Sequence, residues 1–257
     1  MLTPRHGAIL KLLEGKGPLS VTTLADMLDV STETMRRDVR ALAGAGAVVR
    51  VHGAVGLAGQ MGEAPFHRRM RENAGPKQAI ARAMAVQIAD GDSLMVDTGT
   101  TTSFLARELL GHRRLTVVTN SSDIARTLAT VNGNRVFMAG GELRGDSGAS
   151  LGASALEFIR AFAVQHAIIS AGAVDASGVM DFDLQEAEFA RAVLACGARR
   201  MVVTDASKFG RRGFIRVTGF EGLDEIFTDA PPPEDVAAAL SLAGVRVHLA
   251  SSDHNGQ

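Results

Sequence analysis

The sequence predicts an α/β protein in two parts: a winged helix-turn-helix over residues 1–57 and a mostly parallel α/β domain over residues 79–250, joined by a linker over 58–78. Three observations predict it. The segment STETMRRDVRAL (31–42) follows a second helical pattern across a tight turn, short Val- and Ile-rich runs alternate with helical stretches from Ile80 onward, and charge is divided unequally along the chain. Residues 1–82 hold twelve Lys or Arg against seven Asp or Glu, a net of +5, whereas residues 83–257 hold fifteen against twenty-one, a net of −6. Phosphate contacts need local positive charge, so the first part suits a polyanion and the second does not, a division that the overall net charge of −1 conceals.

In the first part Ser20 is a natural N-cap for VTTLADML, in which Leu24, Ala25 and Leu28 form one apolar stripe. Asp29 and Val30 supply the turn, and Ser31 can cap the next helix. Met35, Val39 and Leu42 recur at helical spacing and should pack inward, which leaves Thr32, Glu33, Thr34, Arg36, Arg37 and Arg40 for solvent or DNA. A helix-turn-helix presents its recognition helix to the major groove in this way. A solvated amphipathic helix is the plainer alternative, but the continuation favours the former. AGAGAVVRVHGAV (43–55) breaks the helix at glycines and becomes a short β-ribbon around His52 and Gly53, a wing that would bring His52 to DNA.

The stretch 56–78 holds four glycines, two prolines and the basic cluster Arg68, Arg69 and Arg71 without a sustained apolar stripe, and reads as a linker with one short helix. At 257 residues, 46% of them hydrophobic, the chain can bury a substantial core. The single Cys196 excludes an intrachain disulfide framework and a cysteine-based zinc site, and suits a reducing compartment. The seven histidines show no metal-ligand spacing, and no cofactor motif of the P-loop or GxGxxG type is present. The N-terminus lacks a signal-type apolar segment, and no apolar run approaches the roughly 20 residues of a membrane span, so a cytoplasmic protein without membrane partners is expected.

In the second part, SLMVD, LTVVTN, RVFMAGG, HAIISAG, RMVVTDAS, EIFTDA and VRVHLA are strand candidates separated by helical stretches. Such runs argue for a parallel sheet covered on both faces, and ligands of such sheets bind where the strands end. After the first run come Asp97, Thr98, Gly99, Thr100, Thr101 and Thr102; after the second, Thr119, Asn120, Ser121 and Ser122; after the third, Gly140, Gly141 and Glu142. Gly99 permits close backbone approach, and a following helix N-terminus would offer N–H groups and the positive end of its dipole, a cradle for phosphate. Ser and Thr also cap helices, so either loop alone has a purely structural explanation. Asp181, Asp183 and Glu186 lie just before or within a helix, and Lys208 follows a strand. The acids could bind sugar hydroxyls and the lysine a phosphate; a charge bias at a helix start and a surface salt bridge are the alternatives.

Taken together, TMRRDVRAL with its HGA wing, DGDSLMVDTGTTT, VVTNS, MAGGELR and TDASKFGR resemble the DeoR-type bacterial transcriptional regulators, over about Arg5 to Leu249. The resemblance implies a repressor that binds double-stranded operator DNA, acts as a homo-oligomer, and senses a phosphorylated small molecule through a domain with the fold of sugar-phosphate isomerases. It places Thr32, Thr34, Arg36 and Arg37 at DNA, and Asp97, Gly99, Thr100, Thr101, Asn120, Gly141, Glu186 and Lys208 at the effector. Within the family, AGGELR, DFDLQEAE, SKFGR and FTDAPPP are most similar to the regulator that responds to glycerol 3-phosphate, which implies that effector. Two departures stand out: Ala54 in place of a second wing glycine, and Phe189-Ala190 in place of a more basic pair. The competing readings are a regulator of another sugar phosphate, and an isomerase using Asp181, Asp183 or Glu188 as a base.

Overall fold

A computed structural model describes residues 3–16, 19–51, 54–57 and 63–250. They form two compact units, Met1–Pro65 and Phe66–Gln257.

The first unit contains α1 (Pro4–Lys16), β1 (Leu19–Ser20), α2 (Val21–Met27), α3 (Thr32–Gly44), β2 (Val48–Val51) and β3 (Ala54–Leu57), with the strands in antiparallel order β1-β3-β2. Ser20 accepts from the Thr23 N–H and Ser31 from the Thr34 N–H, so both expected caps form. Asp29 takes the left-handed turn conformation at φ 50°. Leu24, Ala25, Met35, Val39 and Leu42 are buried together with Ile9 and Leu13 of α1, a helix the sequence reading did not anticipate. Asp38, on the inner side of α3, is buried and bound by Arg5 and His6 of α1. The hydrogen bond from Arg5, outweighing the cost of burial, holds the Asp38 carboxyl below its ordinary range.

The second unit opens with α4 (Phe66–Arg69) and α5 (Ala74–Ala85). Residues 66–78, expected as linker, are therefore part of this unit. Phe66 and Lys77 are buried, and the Lys77 ammonium donates to the carbonyls of Arg69 and Glu72, satisfying the end of the first turn. A buried lysine with carbonyl partners is invisible to an apolar-stripe criterion.

Seven strands follow: β4 (Ser93–Val96), β5 (Thr116–Thr119), β6 (Arg135–Met138), β7 (Val164–Ser170), β10 (Gly197–Val203), β12 (Glu225–Thr228) and β13 (Arg246–Leu249). They form one parallel sheet in the order β13-β12-β10-β7-β4-β5-β6. Alternation along each strand feeds two cores. Leu94, Val96, Ile168, Met201 and Phe227 pack with Ile80 and Met84 of α5, Leu105 of α6 (Thr100–Glu108) and Ile124 of α7 (Ser122–Leu128). Met95, Ile169, Val202 and Ile226 pack on the other face with Ile159 of α8 (Ala153–Ile159), Val193 of α9 (Leu184–Cys196) and Leu240 of α10 (Glu234–Leu242). Each such fully buried side chain contributes about 1.5–3 kcal/mol relative to exposure. A small antiparallel sheet, β11-β9-β8 (Ile215–Thr218, Gly178–Asp181, Ala173–Asp175), was not foreseen; its strands are too short and mixed in polarity to stand out.

The chain builds outward from β4 to β5 and β6, then returns to place β7 on the other side of β4. The order reverses between β4 and β7, so a crevice is expected outside the carboxyl ends of those two strands. Among the described residues, no helix is long and apolar enough to cross a membrane.

Candidate functional site

On α3 the capped start fixes which side chains face outward. Arg36, Arg37 and Arg40 are exposed, and Arg36 makes a long contact with exposed Glu33, at 3.5 Å. Thr32 and Thr34 are half-buried, and the Thr34 hydroxyl is shared with the Ser31 cap at 2.9 Å. His52 lies outside the described residues.

The second unit gathers its candidate residues at the carboxyl edge of the large sheet. Asp97, directly after β4, spans the reversal point: both its carboxylate oxygens accept from the Ser170 N–H at the end of β7, each at 3.1 Å. Burial drives the Asp97 carboxyl well above its ordinary range; Asp181 and Glu186 push the same way, against the Ser170 N–H. Gly99 then brings the backbone close, because a Cβ there would stand 2.0 Å from the Ser170 hydroxyl and 2.6 Å from its Cβ. As the N-cap of α6, Gly99 supplies no side-chain acceptor, so the first turn of the helix, Thr100 to Thr102, starts without a side-chain cap. The Thr102 hydroxyl instead donates to the carbonyls of Asp97 and Gly99 and pins the loop.

Asn120, after β5, is joined to this loop by the Thr98 hydroxyl at 2.9 Å and donates to the Ser150 carbonyl. Ser150 is fully buried, and its hydroxyl has no hydrogen-bond partner among the described residues. It faces Gly141, where a Cβ would come within 2.9 Å of it and where φ is +138°, a conformation that favours glycine. The other Ser/Thr loop resolves differently: the Ser121 hydroxyl accepts from the Ile124 N–H, so that loop is a helix cap. Of the two loops singled out for phosphate, only the first leaves its helix start uncapped.

The acids Asp181 and Glu186 lie near enough to Asp97 to act on its carboxyl. Asp183 caps α9 through the N–H groups of Gln185 and Glu186, and Arg144 bridges Asp183 at 3.0 Å and Glu186 at 3.2 Å. Burial opposes charge on Asp183, but the Arg144 bond and the N–H groups prevail and hold the carboxyl below its ordinary range. Asp181 is turned onto the N–H groups of Phe182 and Asp183. Lys208 closes the turn after β10, with its N–H on the Asp205 carbonyl at 3.0 Å, and so belongs to the same sheet edge. Glu188 does not join this group. It is exposed and lines a separate groove of about 600 Å³ with Arg160, Arg191 and Cys196. Arg144, Ser150, Ser170 and Asp205 were missed as site residues; AGGELR contains Arg144, but nothing local tells that it meets acids some 40 residues on.

The DeoR-like helix-turn-helix domain family matches residues 5–60, and the DeoR C terminal sensor domain family matches residues 72–230. The chain belongs to the DeoR family. Among its relatives, the glycerol-3-phosphate regulon repressor of Escherichia coli (strain K12) is 35% identical over 248 residues, 96% of this chain and 98% of that protein. The glycerol-3-phosphate regulon repressor of Haemophilus influenzae is 34% identical over 89% of each chain. The HTH-type transcriptional repressor CsqR of Escherichia coli (strain K12) is 32% identical over 97% of this chain and 96% of that one. Similar solved structures include ribose 5-phosphate isomerase A from Neisseria gonorrhoeae, 15% identical over 53% of each chain with a TM-score of 0.39. Another is the Pyrococcus horikoshii OT3 translation initiation factor eIF-2B, 16% identical over 87% of this chain and 86% of that one with a TM-score of 0.42.

DeoR-family membership decides between the two functional classes left open by the sequence: the chain is a transcriptional regulator rather than an isomerase. One departure from the family pattern has a structural account: Phe189 and Ala190, on α9, are 2% and 4% exposed and belong to the hydrophobic core.

Proposed function

We propose that the chain is an operator-binding repressor whose second unit binds a phosphorylated small metabolite, glycerol 3-phosphate, and that binding lowers operator affinity. The observation that carries the effector reading is the glycine-capped start of α6 at the β4/β7 reversal point, with the unpartnered hydroxyl of buried Ser150 in the adjoining loop. On this reading the phosphate lies at the N–H groups of Thr100 and Thr101 with Lys208 as counter-charge. The hydroxyls meet Asp97, Asn120 and Glu186, and Gly141 leaves the room for them. Arg36, Arg37 and Arg40, with Thr32, Thr34 and His52, face the operator. A symmetric oligomer in the cytoplasm would match paired half-sites. The names of the two glycerol-3-phosphate regulon repressors support the choice of effector.

Calorimetry on the full chain, together with fluorescence anisotropy on an operator selected from random duplexes, tests the proposal. Glycerol 3-phosphate should bind and weaken the operator complex, whereas glycerol should do neither, because charge-assisted bonds to the phosphate carry the discrimination. Lys208→Ala should bind the operator normally and lose the response. If another sugar phosphate binds and millimolar glycerol 3-phosphate does not, the effector is wrong and the regulator stands. If no phosphorylated metabolite binds, the phosphate site at α6 is wrong as well.

A further inference from the structure

The chain enters the second unit at Phe66, directly after the DNA-binding unit, and residues 66–77 are hydrogen-bonded to two loops of the candidate effector site. The Asn73 amide donates to the Asp205 carboxylate at 3.0 Å and to the Ser207 hydroxyl at 3.1 Å. Asp205 is 2% exposed, and it shapes the turn that ends in Lys208 by accepting from the Ser207 N–H while its own carbonyl accepts from Lys208. At the other end, the Phe66 N–H donates to Asp146 at 2.8 Å, and His67 lies 3.6 Å from the same carboxylate. Asp146 sits in the loop that carries Gly141 and Arg144, and Arg144 is the residue that bridges to Asp183 and Glu186. The segment between these two attachments is itself braced by buried Lys77, which ties the Arg69 and Glu72 carbonyls together.

Asn73 is held at φ 53°, left-handed and without a cap bond to its own helix, so its side chain is committed to the loop 132 residues away. Asparagine tolerates this conformation better than most residues. The left-handed backbone accounts for a residue of this kind at the helix start, and its amide is directed to the turn that contains Lys208.

We infer that Asn73 and Asp146 are positioning residues that transmit occupancy of the effector site to the chain leading to the DNA-binding unit. Ligand that draws Lys208 or Arg144 inward alters the Asp205 turn or the Asp146 loop, and each is bonded to residues 66–73. Effector and operator affinities are then coupled through these bonds, and the coupling is reciprocal. This inference rests on the effector reading above.

The test uses full chains carrying Asn73→Gly, which keeps the left-handed backbone while deleting the amide, and Asp146→Ala. In the wild type, saturating glycerol 3-phosphate should weaken operator binding by about 5- to 150-fold, the usual range of such coupling. In Asn73→Gly and in Asp146→Ala the change should shrink, and in the double variant it should fall below about twofold, with the affinity for glycerol 3-phosphate itself kept within about threefold. A merely structural role would lower both affinities and leave their ratio as in the wild type, and that result overturns the inference. If the wild type does not respond to glycerol 3-phosphate, the effector reading fails and amide hydrogen exchange without ligand decides. Asn73→Gly should then speed exchange at Lys208 and Phe209, and Asp205→Asn should speed it at Lys77, whose N–H bonds the Asn73 carbonyl. Unchanged exchange at both places overturns the link.

Discussion

Gly99→Ala is the most direct probe of the β4/β7 reversal point. The added methyl would stand 2.0 Å from the Ser170 hydroxyl, which can rotate, but also 2.6 Å from the Ser170 Cβ, which cannot. Relief therefore requires the backbone to move, and that backbone bears the N–H held by both oxygens of Asp97. Overpacking of this kind costs about 1–3 kcal/mol. A weakened bond to Asp97 adds about 1 kcal/mol. At about 2–4 °C per kcal/mol for a unit of this size, the thermal midpoint should fall by about 4–16 °C.

Gly140→Ala is the control, since a Cβ at Gly140 meets nothing within 4 Å. Surface substitutions of that kind usually stay within about 0.5 kcal/mol. Ser170→Gly removes both clashing atoms, so the Gly99→Ala/Ser170→Gly double variant should recover most of the loss, a non-additivity that reports the contact itself. Differential scanning calorimetry of the wild type and the four variants, Gly99→Ala, Gly140→Ala, Ser170→Gly and the double, reads the outcome. Equal midpoints for Gly99→Ala and Gly140→Ala would refute the close approach of the two strand ends, and a double variant no better than the single would place the strain elsewhere.

Two further outcomes are expected. Replacing Arg36 and Arg37 by alanine should cost about 1–3 kcal/mol of operator affinity for a bidentate base contact, or flatten the salt dependence by about one unit of slope for a phosphate contact, without unfolding the chain; an unchanged affinity and slope would displace α3 from the groove. Asp97→Asn should stabilise the second unit at neutral pH in urea denaturation. The raised carboxyl costs stability as pH climbs above the ordinary value of about 4, and the gain should shrink towards zero below it; a gain that is independent of pH would contradict the burial of charge.

The parallel sheet was legible because its strands are buried on both faces and stand out as runs such as SLMV and VVT, each followed by polar residues at the edge where ligands bind. The two caps of the helix-turn-helix were legible because capping is local, and Ser20 and Ser31 lie within three residues of the N–H groups they satisfy. What escaped notice depends on distance in sequence. Ser170 meets Asp97 across 73 residues, Arg144 meets Glu186 across 42, and Asn73 meets Asp205 across 132. Asp38 belongs with these, because its partners Arg5 and His6 lie on α1, about thirty residues earlier, and its side chain is buried. The two Ser/Thr loops were equivalent as strings, and the difference between them, a glycine against a serine at the cap, becomes decisive once the helix starts are fixed.

A sheet edge so rich in acids is an unexpected place for an anion, and the pairing of its groups bears on how the proposed effector could bind. Glu186 and Asp183 are partly neutralised by Arg144, Asp181 is turned onto backbone N–H groups, and burial favours the protonated form of Asp97. The negative charge near Asp97 is thereby lower than the count of carboxylates suggests, which lowers the repulsion that the proposed phosphate would meet at the start of α6. A hydroxyl that hydrogen-bonds to Glu186 competes with Arg144, so part of the binding energy is tied to breaking or shifting that bridge. Only such state-dependent contacts can move a regulator between conformations, because a ligand held equally well in both shifts nothing. On the proposed effector reading the Arg144 bridge would therefore contribute to the change of state beside the Asp205 turn, and the Asp146 loop that carries it is bonded to Phe66, the first residue of the second unit.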